Sequence, residues 1–343
     1  MDRNDPRFAR MMQMRREIGP LINRAIPKYE DPTRYPIDQL VDLFHTQQKL
    51  MGCQDDAQRT ALKAEFATKL DAIELLPDAP ERIYLWPEGK MPTHTEYTDN
   101  SDYRYDHDPD FRPYFLEQLL PEGQTPIGAV VTIAGGTHGA GTMNECYQVG
   151  KELNALGFHA FILQCRPNGS PWDRYETGVD AARALRIIRS RAEQYHLRPN
   201  TIALAGFSNG GITCDFCIES YSGNQTVKAQ FPDYIPDELD ELPGGPDAYL
   251  CVYGARHAGT EFNYDGVVYP PTFFAIGRLD KCMDNFHALY PDLLSRGVPM
   301  EVHTFAGHPH GYAGWKIIDG VGNPNFDSWV NHAAVFLADA FKE

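Results

Sequence analysis

The chain contains no apolar run near the roughly 18 residues that a membrane-spanning helix needs. Its opening stretch, MDRNDPRFARMMQMRREIGP, has no apolar centre of the kind a secretory leader carries. Positive charge is scarce: 31 Lys and Arg stand against 47 Asp and Glu, a formal net charge of −16. Such a surface repels phosphate backbones and anionic bilayers, so neither nucleic acid nor a membrane is expected as a partner. Cysteine is sparse and odd in number, at seven in 343 residues. With no leader, that count predicts reduced thiols and a cytoplasmic protein.

Other signals are missing as well. There is no internal repeat and no low-complexity tract. The acidic stretch YTDNSDYRYDHDPDF (97–111) lacks the spacing of a calcium loop and reads as a solvated segment. Cys214 and Cys217 form a C-x-x-C with no second pair to complete a zinc site, so packed core thiols are expected. The glycine-rich AGGTHGAG has neither the G-K-[ST] of a phosphate loop nor a G-x-G-x-x-G with its downstream acid, which argues against a nucleotide.

Two regions differ in character. Residues 1–80 are rich in Arg, Lys, Gln, Met and Leu and read as helices, with 38–44 and 61–76 the clearest. They predict an N-terminal helical extension, acting as a cap or as a surface for self-association. Residues 81–343 form the second region. RIYLWP and PYFLEQLLP read as short strands bounded by prolines. From Gly123 onward, apolar runs alternate with helical spacing. IGAVVTIAGG, HAFILQC, TIALAG, DAYLCVYG, TFFAIG and MEVHTFAG are the runs. Cys146, Val149, Leu153 and Leu156 mark one intervening helix face, and Ala181, Leu185, Ile188, Ala192 and Tyr195 another. Near-continuous apolar strands alternating with helices predict an α/β protein with a mostly parallel sheet covered on both faces. The acidic, proline-rich SGNQTVKAQFPDYIPDELDELPGGP interrupts this rhythm and reads as a surface excursion.

One stretch carries chemistry. In LAGFSNGG, Ser208 lies between an apolar run and a helical segment, flanked at two residues either side by Gly206 and Gly210. A serine hydroxyl is a weak nucleophile until a base takes its proton. A sharp strand-to-helix turn exposes it at the sheet edge, and only small residues at the flanking positions permit that turn, giving G-x-S-x-G. The orienting acid and the base should follow in the order Asp then His. Asp280 closes the loop after TFFAIG, with Asp284 its competitor. His308 and His310 follow the last apolar run; His310 is preferred because Gly311 lets the loop turn tightly. Two backbone N–H groups should meet the developing oxyanion, one from Asn209 and one from Gly136 or Thr137. Trp172 and Trp315 are candidates to line a substrate cleft.

With these residues in place, the chain resembles the α/β-hydrolase superfamily over roughly residues 81–343. It is most similar to bacterial esterases of the acetylxylan-esterase or feruloyl-esterase type, some of them prolyl-oligopeptidase-like. The resemblance is carried by GFSNGG, the turn Gly135-Gly136-Thr137, VDAARALRIIR, GPDAYLCVYG and HPHGY. AGGTHG replaces the lipase-type H-G-G-G. The resemblance implies an α/β-hydrolase fold, with Ser208 as nucleophile, His310 as base and Asp280 as orienting acid. It implies hydrolysis of short, acetyl-type esters, with acetylated carbohydrates as the substrate class and no cofactor or metal. A serine peptidase of prolyl-oligopeptidase type is the first alternative, though 80 helical residues cannot build a propeller. A non-catalytic binding protein on the same scaffold is the second.

Overall fold

The computed structural model describes residues 6–93, 111–136, 139–166 and 173–342. Nearly all of the acidic stretch 97–111, Thr137 and Trp172 lie outside the described residues. The described residues divide into two compact units, one holding the helices up to Pro80, the other running from Glu81 and resuming at Arg112.

The first unit is three helices: α1 (Pro6–Glu30), α2 (Ile37–Gly52) and α3 (Asp56–Ala72). Asp55 caps α3 by accepting from the Gln58 amide at 2.7 Å, so the helix begins earlier than its apolar spacing suggested. Tyr29 of α1 meets Phe44 of α2 edge-on at 6.2 Å between ring centres, and its hydroxyl donates to Gln47. Lys69 of α3 pairs with Asp42 of α2 at 2.8 Å.

The second unit is built on an eight-stranded sheet, ordered β1-β2-β4-β3-β5-β6-β7-β8. The strands are β1 (Ile83–Tyr84), β2 (Tyr114–Gln118), β3 (Gly128–Ile133), β4 (Phe158–Gln164), β5 (Ile202–Phe207), β6 (Ala248–Val252), β7 (Thr272–Gly277) and β8 (Met300–Phe305). β1 and β2 run antiparallel at one side, and every pairing from β4 to β8 is parallel. Every residue of β3 to β7 is buried. Because side chains alternate between the two faces of a strand, unbroken burial means that both faces are covered. The expected mostly parallel, doubly covered sheet is what the chain forms. α4 (Val149–Ala155), α5 (Arg174–Ser190), α6 (Asn209–Tyr221), α7 (Met283–Ser295) and α8 (Trp329–Ala340) supply the cover, with α5 packed on α6 and α8 on α4.

The acidic excursion between α6 and β6 is more firmly held than a surface loop. Arg183, Arg186 and Arg189 recur along one face of α5. Arg183 donates to Asp237 at 2.7 Å, Arg186 to Asp240 at 3.2 Å, and Arg189 to Asp247 at 3.0 Å. All three arginines are buried, as are Val227, Phe231 and Tyr234 of the excursion. The acidity of this surface segment is what pairs it with the helix.

Candidate active site

β5 ends at Phe207 and α6 begins at Asn209, so Ser208 alone makes the turn between them. It adopts φ 51° and ψ −119°, a region that costs a non-glycine residue of order 1–3 kcal/mol and persists only when its surroundings enforce it. The enforcing contacts are backbone. The Ser208 amide donates to the Val252 carbonyl at 3.2 Å, and the Ser208 carbonyl accepts from the Gly211 amide at 3.0 Å. Gly206 and Gly210, the small flanking residues expected from the sequence, are both pressed against main chain; a β carbon on Gly206 would stand 2.4 Å from the Gly211 α carbon.

The loops after β7 and β8 bring Asp280 and His310 to this turn. His310 lies with Nε2 at 2.7 Å from Ser208 Oγ and Nδ1 at 2.8 Å from an Asp280 oxygen. An ionised carboxylate can only accept, so the imidazole proton sits on Nδ1 and the Nε2 lone pair faces the serine hydroxyl. Asp280 is buried, and one of its oxygens also accepts from the Cys282 amide at 2.7 Å, which fixes its orientation. A hydroxyl, an imidazole and a carboxylate thus share one hydrogen-bonded line, able to remove a proton from Ser208 and hold the resulting cation. His308 is elsewhere: it is 7% exposed, and its Nδ1 lies 3.3 Å from Asn323 Nδ2. Asp284 falls in the first turn of α7.

Gly135 and Gly136 follow β3 beside the turn. A β carbon on Gly135 would lie 2.8 Å from Ser208 Cβ, so only glycine allows this approach. Asn209 takes a part that the sequence reading missed. Its side chain donates to the Gly136 carbonyl at 3.0 Å, tying the start of α6 to the glycine turn.

A second residue escaped the sequence entirely. Glu145 lies in a π-helical segment, Thr142–Gln148, that leads into α4. Its carboxylate is buried directly behind the site, accepting from the Gly135 amide at 2.5 Å and from the Tyr253 hydroxyl at 2.8 Å. Burial pushes its pKa up, opposed by those two hydrogen bonds and by the nearby His310. The one available signal was its position next to Cys146, on a helix face already expected to be buried.

Two groups of described side chains bring three donor atoms within 4.8 Å of one another: Asp280 with Cys282 and His310, and Glu301 with His303 and His332. In the first, Asp280 and His310 already share a proton. In the second, the two imidazoles stack with planes 23° apart, so their lone pairs run side by side instead of converging. All seven cysteines are free, and Cys214 and Cys217 are buried.

The strand order, the antiparallel second strand, and a sharp serine turn after β5 met by residues from the loops after β7 and β8 define an α/β-hydrolase fold. The proteins it is similar to are esterases and related hydrolases. No protein-family model matches the chain. An acetylxylan esterase of Xylanibacter ruminicola is 32% identical over 94 residues, 27% of this chain and 19% of that protein, so the match spans about a fifth of the relative. An acetyl ester-xyloside bifunctional hydrolase from Caldicellulosiruptor lactoaceticus shares the fold with a TM-score of 0.56 and 21% identity, over 76% of this chain and 96% of that one. Thermogutta terrifontis esterase 2, solved phosphorylated by paraoxon, gives 0.51 and 16% identity, over 73% and 95% of the two chains. An α/β-hydrolase enzyme from a Medee basin deep-sea metagenome library gives 0.50 and 17%, over 68% and 93%. At these identities the solved structures speak to fold.

Proposed function

We propose that this protein is a serine carboxylic ester hydrolase acting on short, acetyl-type esters, with acetylated carbohydrates as the substrate class. The observation that carries the reading is the His310 imidazole, hydrogen-bonded to Ser208 Oγ at 2.7 Å on one side and to Asp280 at 2.8 Å on the other. Ser208 Oγ attacks the ester carbonyl while His310 Nε2 takes its proton. Asp280 holds the imidazole tautomer and stabilises its cationic form. The tetrahedral oxyanion is met by backbone amides of Asn209 and of Gly136 or Thr137. His310 then returns the proton to the departing alcohol, and the acyl group stays on Ser208. Water, activated by the same imidazole, releases the acid and restores the serine.

The acetyl and carbohydrate parts of the proposal rest on the acetylxylan esterase and the acetyl ester-xyloside hydrolase among the similar proteins. A comparison of p-nitrophenyl acetate, butyrate and octanoate, followed by acetate release from acetylated xylo-oligosaccharides, tests both. Turnover should fall with acyl length. Wild type no faster than Ser208→Ala on every ester would end the reading.

A further inference from the structure

We propose that Glu145 is a positioning residue: one buried carboxylate holds the Gly135–Gly136 turn against Ser208 and, through Tyr253, seats the His310 imidazole. The inference rests on the esterase reading for its catalytic consequence, but the hold itself is structural.

Four observations carry it. First, the two carboxylate oxygens are divided between two parts of the site: Oε2 accepts from the Gly135 amide and Oε1 from the Tyr253 hydroxyl. Both oxygens therefore act as acceptors. Second, Tyr253 reaches the base in two ways. Its ring meets the His310 ring edge-on at 5.0 Å between centres, and its hydroxyl accepts from the Ala313 amide at 3.3 Å, in the loop that carries His310. Third, Tyr253 sits at φ 41°, an unfavourable backbone region for a tyrosine, and strain of this kind gathers where a side chain must be aimed. Fourth, the neighbour of Glu145 does related work: Asn144 Nδ2 donates to the Ala313 carbonyl at 2.9 Å. The π-helical turn therefore points two successive side chains at the site, one to the glycine turn and one to the histidine loop. Such wide turns recur at functional sites. The titratable groups facing Glu145 are Tyr253 and His310, together with its chain neighbour Cys146.

A buried polar carboxylate is a costly way to brace a turn if packing alone were needed. When ionised, it also attracts the imidazolium that forms as Ser208 gives up its proton.

The test compares Glu145→Gln and Tyr253→Phe with wild type in two measurements. On p-nitrophenyl acetate, kcat should fall by about 10²-fold in Glu145→Gln with KM within about threefold, the pattern of a misplaced catalytic group. Amide hydrogen exchange in the peptide containing Gly135 should quicken, which a change elsewhere in the core would not produce selectively. Tyr253→Phe keeps the carboxylate and removes one donor; it should show a smaller kcat loss and unaltered exchange at Gly135. It keeps the test decisive if Glu145→Gln does not fold. Unchanged exchange at Gly135 in folded Glu145→Gln, or unchanged kcat in both variants, overturns the proposal. Loss of the esterase reading looks different: wild type and Ser208→Ala are then equally inactive, while the exchange measurement still decides whether Glu145 holds the turn.

Discussion

Gly210 and Ile133 approach so closely that a β carbon on the glycine would stand 2.1 Å from the Ile133 carbonyl oxygen and 2.7 Å from that of Ala134. Neither obstacle is a flexible side chain. The first helical turn after the nucleophile is packed directly onto the end of β3. Gly210→Ala must therefore displace main chain, which in a packed interior costs at least about 1–3 kcal/mol. The expected result is a clear fall in Tm together with loss of esterase turnover. A Gly210→Ala protein that melts and turns over like wild type would contradict the geometry.

The two neighbouring histidines should part company on substitution. His310→Ala removes the base, and kcat on p-nitrophenyl acetate should fall by about 10⁴-fold or more. His308→Ala removes a buried ring that packs on Phe326, 5.6 Å between centres. It should lower Tm, with kcat within about tenfold of wild type. The reverse order of effects would move the base to His308.

Asn209→Ala separates the tie from the amide. The backbone N–H is kept, and the hydrogen bond to the Gly136 carbonyl is lost. If that bond sets the glycine turn, kcat should drop by about tenfold at nearly constant KM, with a stability change near the ~1 kcal/mol of one hydrogen bond. Steady-state kinetics alongside a melting curve would separate the two effects. An unchanged kcat would mean the turn holds itself.

These expectations show unevenly how much the residues disclosed beforehand. Ser208, Asp280 and His310, which the fold brings together, could be singled out because each is announced locally: small residues around Ser208, a loop after an apolar run for Asp280, a glycine behind His310. Glu145 was not, because an acid ahead of a helix face has no local mark until the fold sets Gly135 and Tyr253 on either side of it. The side chain of Asn209 was missed for a related reason, since its partner is distant in sequence. The acidic excursion was readable as a surface segment, and Asp233, Pro236 and Glu238 are indeed exposed. Its pairing with the α5 arginines was not readable, because those partners are distant in sequence.

The Arg183–Asp237 pair makes a pH prediction. The guanidinium beside Asp237 holds its carboxyl below the usual carboxylate range, with partial burial acting the other way. A depressed folded pKa means that the stabilisation is fully present above the unfolded value, about 3.9, and is lost as pH falls through the folded one. Asp237→Asn should therefore melt below wild type at neutral pH, and the gap should close as pH falls through the depressed folded value of Asp237. Melting curves from pH 7 downward would check it; a gap independent of pH would assign the effect to packing.

Thiol chemistry offers a simple count. Burial pushes Cys165, Cys217 and Cys251 up to about 12, and raises Cys146 and Cys214 as well. Cys53 is also buried, leaving half-buried Cys282 as the accessible sulfur. A disulfide reagent at pH 8 should label no more than about one thiol in the native protein and all seven after denaturation. Rapid labelling of several native thiols would contradict this packing.

The arginine row of α5 has a consequence for how this chain can change. Loops are ordinarily where a protein accepts shortening, because little depends on them. Here the excursion from Ser222 to Asp247 supplies the anions for three guanidinium groups that α5 keeps in the interior. Trimming it would strand those charges, leaving buried guanidinium groups without their anions, which is destabilising. Helix and excursion must therefore be altered together, so that this outer segment is inherited with the sheet it lies beside.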